Sequence, residues 1–113
     1  MLHKMKLQNN PYNSILFGSK DIEMRLYDEK RGLINIGDVI EFTNMDTGNT
    51  FKVEVINLHR FNSFKDLYNS FIKERLGYKK EEIANYEDME KYYSKEEIDK
   101  YGVVGIEIKV LNN

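Results

Sequence analysis

The chain has 113 residues, of which 41% are hydrophobic, 12% aromatic and 32% charged, a composition typical of one folded globular domain over residues 1–113. Cysteine is absent, which excludes thiol catalysis, thiolate metal sites and disulfide scaffolds and suits a reducing compartment. The formal net charge of −2 argues against a protein that holds duplex nucleic acid by bulk electrostatics. With no apolar run near the roughly 20 residues of a membrane span and no signal-peptide pattern, we expect a cytoplasmic protein without a membrane partner.

A strand and a short helix are predicted at the start of the chain. Residues 2–7 alternate between apolar and polar, which is typical of a half-buried strand. Asn10 and Pro11 are suited to be the N-cap and the first residue of a helix over 11–17, and Gly18 is suited to end it.

Three further strands are predicted before the middle of the chain. Residues 20–26 alternate again and place a core face beside a charged face. The core face has Ile22, Met24 and Leu26, and the charged face has Asp21, Glu23 and Arg25. Residues 39–43 and 51–60 flank the turn formers of 44–49 and predict a hairpin.

The second half is predicted to be helical before a last strand. Ser63 followed by Asp66 is a variant of the capping box and predicts a helix that continues to Gly77. Its apolar residues are assigned to the core: Phe64, Leu67, Tyr68, Phe71 and Ile72.

The last third carries a weaker helical pattern and a strong strand pattern. Residues 79–91 predict a mostly polar helix, and Ser94 with Glu97 forms a second capping box for a short helix. Residues 103–111 are strongly β-forming. Strands with irregularly inserted helices predict an α+β domain on a mixed sheet or small barrel.

Several short motifs follow one another in a recognisable order. They are Gly18-x-Lys20-x-x-Glu23-x-Arg25, Gly37-Asp38-x-Ile40-x-Phe42, Phe64-x-x-Leu67, Tyr92-Tyr93-Ser94 and Tyr101-Gly102-Val103-Val104-Gly105-Ile106. Over residues 2–111 this ordered set resembles the ASCH domain. The resemblance implies a PUA-like fold, which is a small mixed or antiparallel β-barrel of about five to six strands with flanking helices and a cleft between barrel and helices. It also implies RNA, nucleosides or nucleotides as partners, and we expect no cofactor.

One small branch of that family has a similar chain length and is an amidohydrolase that deacetylates acetylcytidine through a lysine, a threonine and a glutamate. The resemblance places Lys20 at the lysine and Glu74 at the glutamate, as catalytic residues if that activity holds. Glu23 stands where the branch has threonine, and a carboxylate donates no hydroxyl hydrogen bond. Position 23 therefore separates the enzyme hypothesis from the binding hypothesis.

The side chains of Glu23 and Arg25 leave the same face of a strand roughly 7 Å apart. A guanidinium fork suits a phosphate or a base edge, and Glu23 could accept from an amino group. We therefore predict ligand contacts from Lys20, Glu23, Arg25 and Tyr93. The alternative is that all four residues are structural. Glu23 and Arg25 would then form an ion pair between strands, Lys20 would be an ordinary surface lysine, and Tyr93 would belong to the core.

Two further patterns bear on the ligand. Residues 60–80 are basic and residues 81–99 are acidic, so the basic stretch could add phosphate contacts, and the alternative that we favour is charged helix faces exposed to solvent. The aromatic group of Tyr92, Tyr93 and Tyr101 could stack on bases or belong to the core. His3 and His59 have no acidic neighbours at metal-ligand spacing, so we expect no metal site.

Overall fold

The computed structural model describes residues 1–111. Segments in which apolar residues recur at every second position form its five strands. The strands are β1 (Leu2–Leu7), β2 (Ile22–Leu26), β3 (Val39–Asn44), β4 (Thr50–Phe61) and β5 (Val103–Val110). The helices are α1 (Asn9–Leu16), α2 (Phe64–Ser70), α3 (Glu87–Glu90) and α4 (Lys95–Tyr101), with 3₁₀ turns at Arg31–Leu33 and Lys73–Leu76. The predicted α+β class is confirmed.

The strands form one mixed sheet in the order β1-β3-β4-β5-β2. β1 runs parallel to β3, and the other neighbouring pairs are antiparallel. The sheet curls into a half-barrel, with β1 and β2 as its two edges. A register shift in β4 between Val55 and Asn57 interrupts its pairing with β5, as a bulge does, and bulges increase local twist. The seam between the edges is where the candidate site lies.

The core consists of two apolar clusters, one on each side of the sheet. The first packs α1 against the sheet through Met5, Tyr12, Ile15, Ile40 and Phe42, among others. The second packs α2 and α4 against β2 and β5, and it includes Ile22, Phe64, Leu67, Ile98 and Val103. β2 is therefore covered on both faces, which explains why Glu23 is buried in it.

The predicted helix from Ser63 to Gly77 is wrong in its second half. Ser63 does cap the helix, with its Oγ accepting from the Asp66 N–H at 3.1 Å, but α2 ends at Ser70 and Phe71 is extended. The Phe71 ring packs edge-on against His59 and Phe61, at centroid distances of 5.0 and 6.3 Å. This packing against β4 outweighs helical propensity.

Ile72, which the helical pattern assigned to the core, is 66% exposed because the chain leaves the helix before it.

The predicted helix over residues 79–91 is also wrong, because only α3 is helical there. The Lys73 ammonium donates to the carbonyl oxygens of Lys80 and Glu82, at 2.8 and 2.5 Å. A polar segment with few apolar residues gains little from helical packing, and here side chains satisfy its backbone instead.

The start of α1 is displaced from the prediction as well. Gln8 is the N-cap and provides no side-chain hydrogen bond, so Pro11 lies inside the first turn, where it is tolerated. The capping box of Ser94 and Glu97 on α4 is confirmed. None of the helices in the described part of the chain is long and apolar enough to cross a bilayer.

Candidate functional site

A cleft of about 480 Å³ opens at the seam of the half-barrel. Its walls are the end of β1, one side of α1, β2, and the chain from Leu76 to Tyr93. The volume is in the range of small-molecule sites, roughly 300–1,000 Å³. The cleft lies between the curled sheet and the helical segments, as the resemblance implied.

Lys20, Glu23 and Arg25 form one charged cluster in the wall of this cleft. Glu23 Oε1 lies 3.2 Å from Lys20 Nζ, and Arg25 Nε donates to Glu23 Oε2 at 2.8 Å. The three side chains are 10%, 5% and 16% exposed respectively. Lys20 precedes β2, and the structure places its ammonium beside Glu23.

The electrostatics of the cluster favour a charged Glu23. Burial raises the pKa of the Glu23 carboxyl, but the charges of Lys20 and Arg25 outweigh burial and hold its pKa below the ordinary value. Burial lowers the pKa of Arg25, and the Glu23 carboxylate more than compensates, so this pKa is raised. The cluster therefore carries two positive charges and one negative charge.

Arg25 also spans the seam of the sheet. Its Nη2 donates to the Lys6 carbonyl oxygen on β1 at 3.0 Å. Since β1 and β2 are the two edge strands, this side chain connects edges that share no backbone ladder in residues 1–111. One residue thus lines the cleft and links the two strands on either side of it.

The backbone around Lys20 is fixed by the 3₁₀ turn at Lys73–Leu76 and by the glycine after it. Arg75 forms a two-pronged ion pair with Asp21, at 2.8 and 3.1 Å, and the Asp21 N–H donates to the Arg75 carbonyl. Gly77 has φ +104°, and a Cβ there would lie 3.0 Å from Lys20 Cδ. Only glycine allows both this backbone and the close approach of the lysine stem.

Tyr93, the fourth predicted contact, lies in the cleft wall and stacks on Phe64, with centroids 5.9 Å apart and planes inclined by 15°. Burial raises the pKa of its phenol, which therefore stays neutral at ordinary pH. Tyr92 also lines the cleft and is exposed, whereas Tyr101 packs in the second core cluster and is not a cleft residue.

A hydrogen-bonded chain elsewhere in the cleft wall was not predicted. The Tyr68 and Tyr78 hydroxyl oxygens are 2.9 Å apart, and Tyr78 Oη donates to Asp88 Oδ2 at 2.6 Å. All three residues line the cleft. Their positions in the sequence form no pattern, because an irregular segment brings them together; the only available signal was the density of tyrosines after Gly77.

Several candidate residues lie elsewhere. Glu74 is in the 3₁₀ turn and does not line the cleft, and the basic residues of 60–80 do not line it either. Arg75 is paired with Asp21 and Glu107, and Arg60 lies over the Tyr27 ring at 3.9 Å.

Each of the two histidines lies at hydrogen-bond distance from a carboxylate. His3 Nε2 lies 2.8 Å from Asp38 Oδ2, and His59 Nε2 lies 2.8 Å from Glu107 Oε1. In residues 1–111 no group of three or more potential ligand residues is arranged to hold a metal ion.

Comparisons with known proteins agree with the fold and the motifs. Residues 5–112 match the family model described as the ASCH domain. The crystal structure of hypothetical protein PH0355 is 36% identical, with 98% of this chain and 100% of that chain covered and a TM-score of 0.79. The solution NMR structure of protein PF0455 from Pyrococcus furiosus is 37% identical, with 100% of both chains covered and a TM-score of 0.73.

Among curated proteins none matches this sequence. The family match nevertheless spans almost the whole chain, and the five-stranded curled sheet with its flanking helices is the α+β, PUA-like arrangement that the motifs implied. The chain belongs to the ASCH domain family.

Proposed function

We propose that this protein binds single-stranded RNA or a nucleotide in the cleft at the seam of the half-barrel. The observation that carries the proposal is the buried cluster of Lys20, Glu23 and Arg25 in the cleft wall. Removing such charges from water costs free energy, and an apolar replacement is often as stable or more so. A buried ionic cluster that also lines a cleft therefore fits a ligand site better than a purely structural role.

Arg25 provides the recognition of an anion in this proposal. Two of its N–H groups are used by Glu23 and by the Lys6 carbonyl. The remaining N–H groups have no acceptor in the part of the chain that the structure describes, and a guanidinium fork matches a phosphate or a base edge. Lys6, exposed at the rim, adds a second cation.

Tyr93 provides a surface for the base. Its ring stacks on the Phe64 ring and lines the same cleft as Arg25. Stacking of a base on such a ring contributes roughly 1–3 kcal/mol to binding. A cation for the phosphate and an aromatic ring for the base are what a nucleotide needs.

Deacetylation of acetylcytidine, the other activity that the family resemblance suggests, depends on Glu74 acting beside Lys20. Glu74 lies outside the cleft wall, and Lys20 is ion-paired with Glu23. The geometry thus supports binding better than hydrolysis, and we propose binding as the function.

The test is a calorimetric titration of the purified protein with 5′-AMP, with 5′-CMP and with a short single-stranded RNA. We expect binding that Arg25→Ala weakens at least about tenfold, or 1.4 kcal/mol. Lys109→Ala is the matched control, because Lys109 is an exposed cation on β5 outside the cleft, and it should bind like the wild type.

Thermal unfolding of each variant separates loss of the ligand site from loss of the fold. A folded Arg25→Ala protein with wild-type affinity, or a wild-type protein that binds none of these ligands, would overturn the proposal.

A further inference from the structure

The hydrogen atoms in the chain of Tyr68, Tyr78 and Asp88 can be assigned from the contacts alone. Tyr78 Oη has one hydrogen, and two of its neighbours can only accept: Asp88 Oδ2 at 2.6 Å and the Asn85 carbonyl oxygen at 3.1 Å. The hydrogen of Tyr78 is therefore used by one of these acceptors. The third neighbour, Tyr68 Oη at 2.9 Å, must then donate to Tyr78.

This assignment leaves Tyr68 Oη and the Asp88 carboxylate as hydrogen-bond acceptors in the cleft wall. Tyr68 Oη has given its hydrogen to Tyr78 and presents lone pairs, and the Asp88 carboxylate has no hydrogen to donate. Burial raises the pKa of both phenols, so neither ionises near neutral pH. The only further contact of Asp88 Oδ1 within residues 1–111 is a long, exposed one to Lys91 Nζ at 3.8 Å.

Glu23, which the sequence suggested as the acceptor for an amino group, is less suited to that role. Both of its carboxylate oxygens are paired, one with Lys20 and one with Arg25, and its side chain is 5% exposed. The Asp88 side chain is 45% exposed. Tyr68 and Asp88 are therefore accessible acceptors of the cleft, whereas Glu82, the third carboxylate that lines it, already accepts from the Lys79 N–H at 2.7 Å.

The acceptor wall and the cationic cluster are neighbours. Gly77 lies against the Lys20 stem, and Tyr78 is the next residue along the chain. One small ligand can thus face donors from Lys20 and Arg25 at one end and the acceptors of Tyr68 and Asp88 at the other. Within a nucleotide, the donor group that suits the second end is the exocyclic amine of the base.

We propose that the Tyr68–Tyr78–Asp88 chain selects nucleotides whose base carries an exocyclic amino group over those with a carbonyl at the same position. This inference rests on the nucleotide-binding function proposed above. A site built to accept from an N–H group discriminates against an analogue that presents a second acceptor there, because two acceptors then face each other without a hydrogen.

The test compares 5′-CMP with 5′-UMP and 5′-AMP with 5′-IMP by calorimetry, since each pair differs by an amino group against a carbonyl. We expect the amino member of each pair to bind at least about tenfold more tightly. In Tyr68→Phe and in Asp88→Ala the ratio should fall to within about twofold. Tyr101→Phe removes a hydroxyl from a tyrosine outside the cleft and should keep the wild-type ratio.

The outcomes separate this inference from the function on which it rests. If all four nucleotides bind equally well, base selection is overturned and nucleotide binding stands. The role of the Tyr68–Tyr78–Asp88 chain is also overturned if Tyr68→Phe or Asp88→Ala, with a wild-type melting profile, keeps the wild-type ratio of affinities for the amino and carbonyl nucleotides. If none of the four nucleotides binds, the proposed function fails and this inference fails with it.

Discussion

At Glu23 a single buried carboxylate faces two cations, and its removal would leave those cations close together and out of water. The distances of 3.2 Å to Lys20 and 2.8 Å to Arg25 make it the common partner of both. Breaking a buried ion pair by deleting one member is strongly destabilising, because the remaining charge stays buried without compensation.

Glu23→Ala should therefore lower the free energy of unfolding by roughly 3–5 kcal/mol at neutral pH, as measured by urea denaturation. Glu29→Ala removes a carboxylate that is exposed in a loop, and it should change stability by less than about 0.5 kcal/mol. Equal stability of the two variants would contradict the role given to Glu23.

The same residue gives the protein a pH dependence with a definite sign. The folded-state pKa of Glu23 is lowered from 4.5, so its contribution to stability is present above pH 4.5 and is lost as the pH falls through the lower folded value. The stability difference between wild type and Glu23→Ala should consequently shrink on acidification. A difference that grows in acid would show that the pKa is raised instead.

The spacing of individual residues in the sequence predicts one part of the candidate site and not the other. The two-residue spacing of Glu23 and Arg25 on a strand puts both side chains on the same face. In the structure Arg25 Nε lies 2.8 Å from Glu23 Oε2. Tyr68, Tyr78 and Asp88 meet only because α2 stops early and the following segment folds back, and no local pattern encodes such a path.

Among the elements, the 3₁₀ turn and Gly77 have the clearest influence on the site. Gly77→Ala should cost roughly 1–3 kcal/mol because of its positive φ, and it should also weaken binding of 5′-AMP because Lys20 must move. Gly37 has φ +92° and no atom within 4 Å of the position that an alanine methyl group would take, so Gly37→Ala should lose similar stability and keep the affinity.

Thermal unfolding of Gly77→Ala and Gly37→Ala measures the cost of backbone strain at each glycine. Calorimetry on the same two variants measures whether displacement of Lys20 weakens binding of 5′-AMP. Equal affinities for 5′-AMP would mean that Gly77 serves the backbone alone.

Strands were easier to predict than helices in this chain. The alternation in residues 2–7 gives β1 with the bounds that the structure has, and the hairpin of β3 and β4 follows from the turn formers between them. Phe71 continues the helical spacing of α2 but leaves the helix to pack against His59 and Phe61, a tertiary preference that spacing does not reveal.

For the whole molecule, the charges point to a small local site rather than an extended basic surface. The cations of the cleft are Lys6, Lys20, Arg25 and Lys91, and its carboxylates are Glu23, Glu82 and Asp88. The cleft thus has a small positive excess in a chain of net charge −2. Cations outside it, such as Arg75 and Lys73, are already used within the protein.

Binding of a short single-stranded RNA should therefore depend weakly on salt. If the cleft contacts one phosphate, the logarithm of the binding constant should fall against the logarithm of salt concentration with a slope of about −0.7 between about 50 and about 200 mM salt. A slope of about −3 or steeper would indicate several phosphate contacts and a larger interface than the cleft provides.

The pairing of β2 with β5 has a consequence for how the protein acquires its site during synthesis. In the sheet, β2 is hydrogen-bonded to β5 alone, so that Ile22 finds its partner Glu107 only after β5 has left the ribosome. Closing so long a loop is slow, and a nascent chain can form the β3–β4 hairpin well before β2 is seated. Lys20, Glu23 and Arg25 reach their final positions late, and a polypeptide truncated before Val103 would have these residues without the strand that holds them in place.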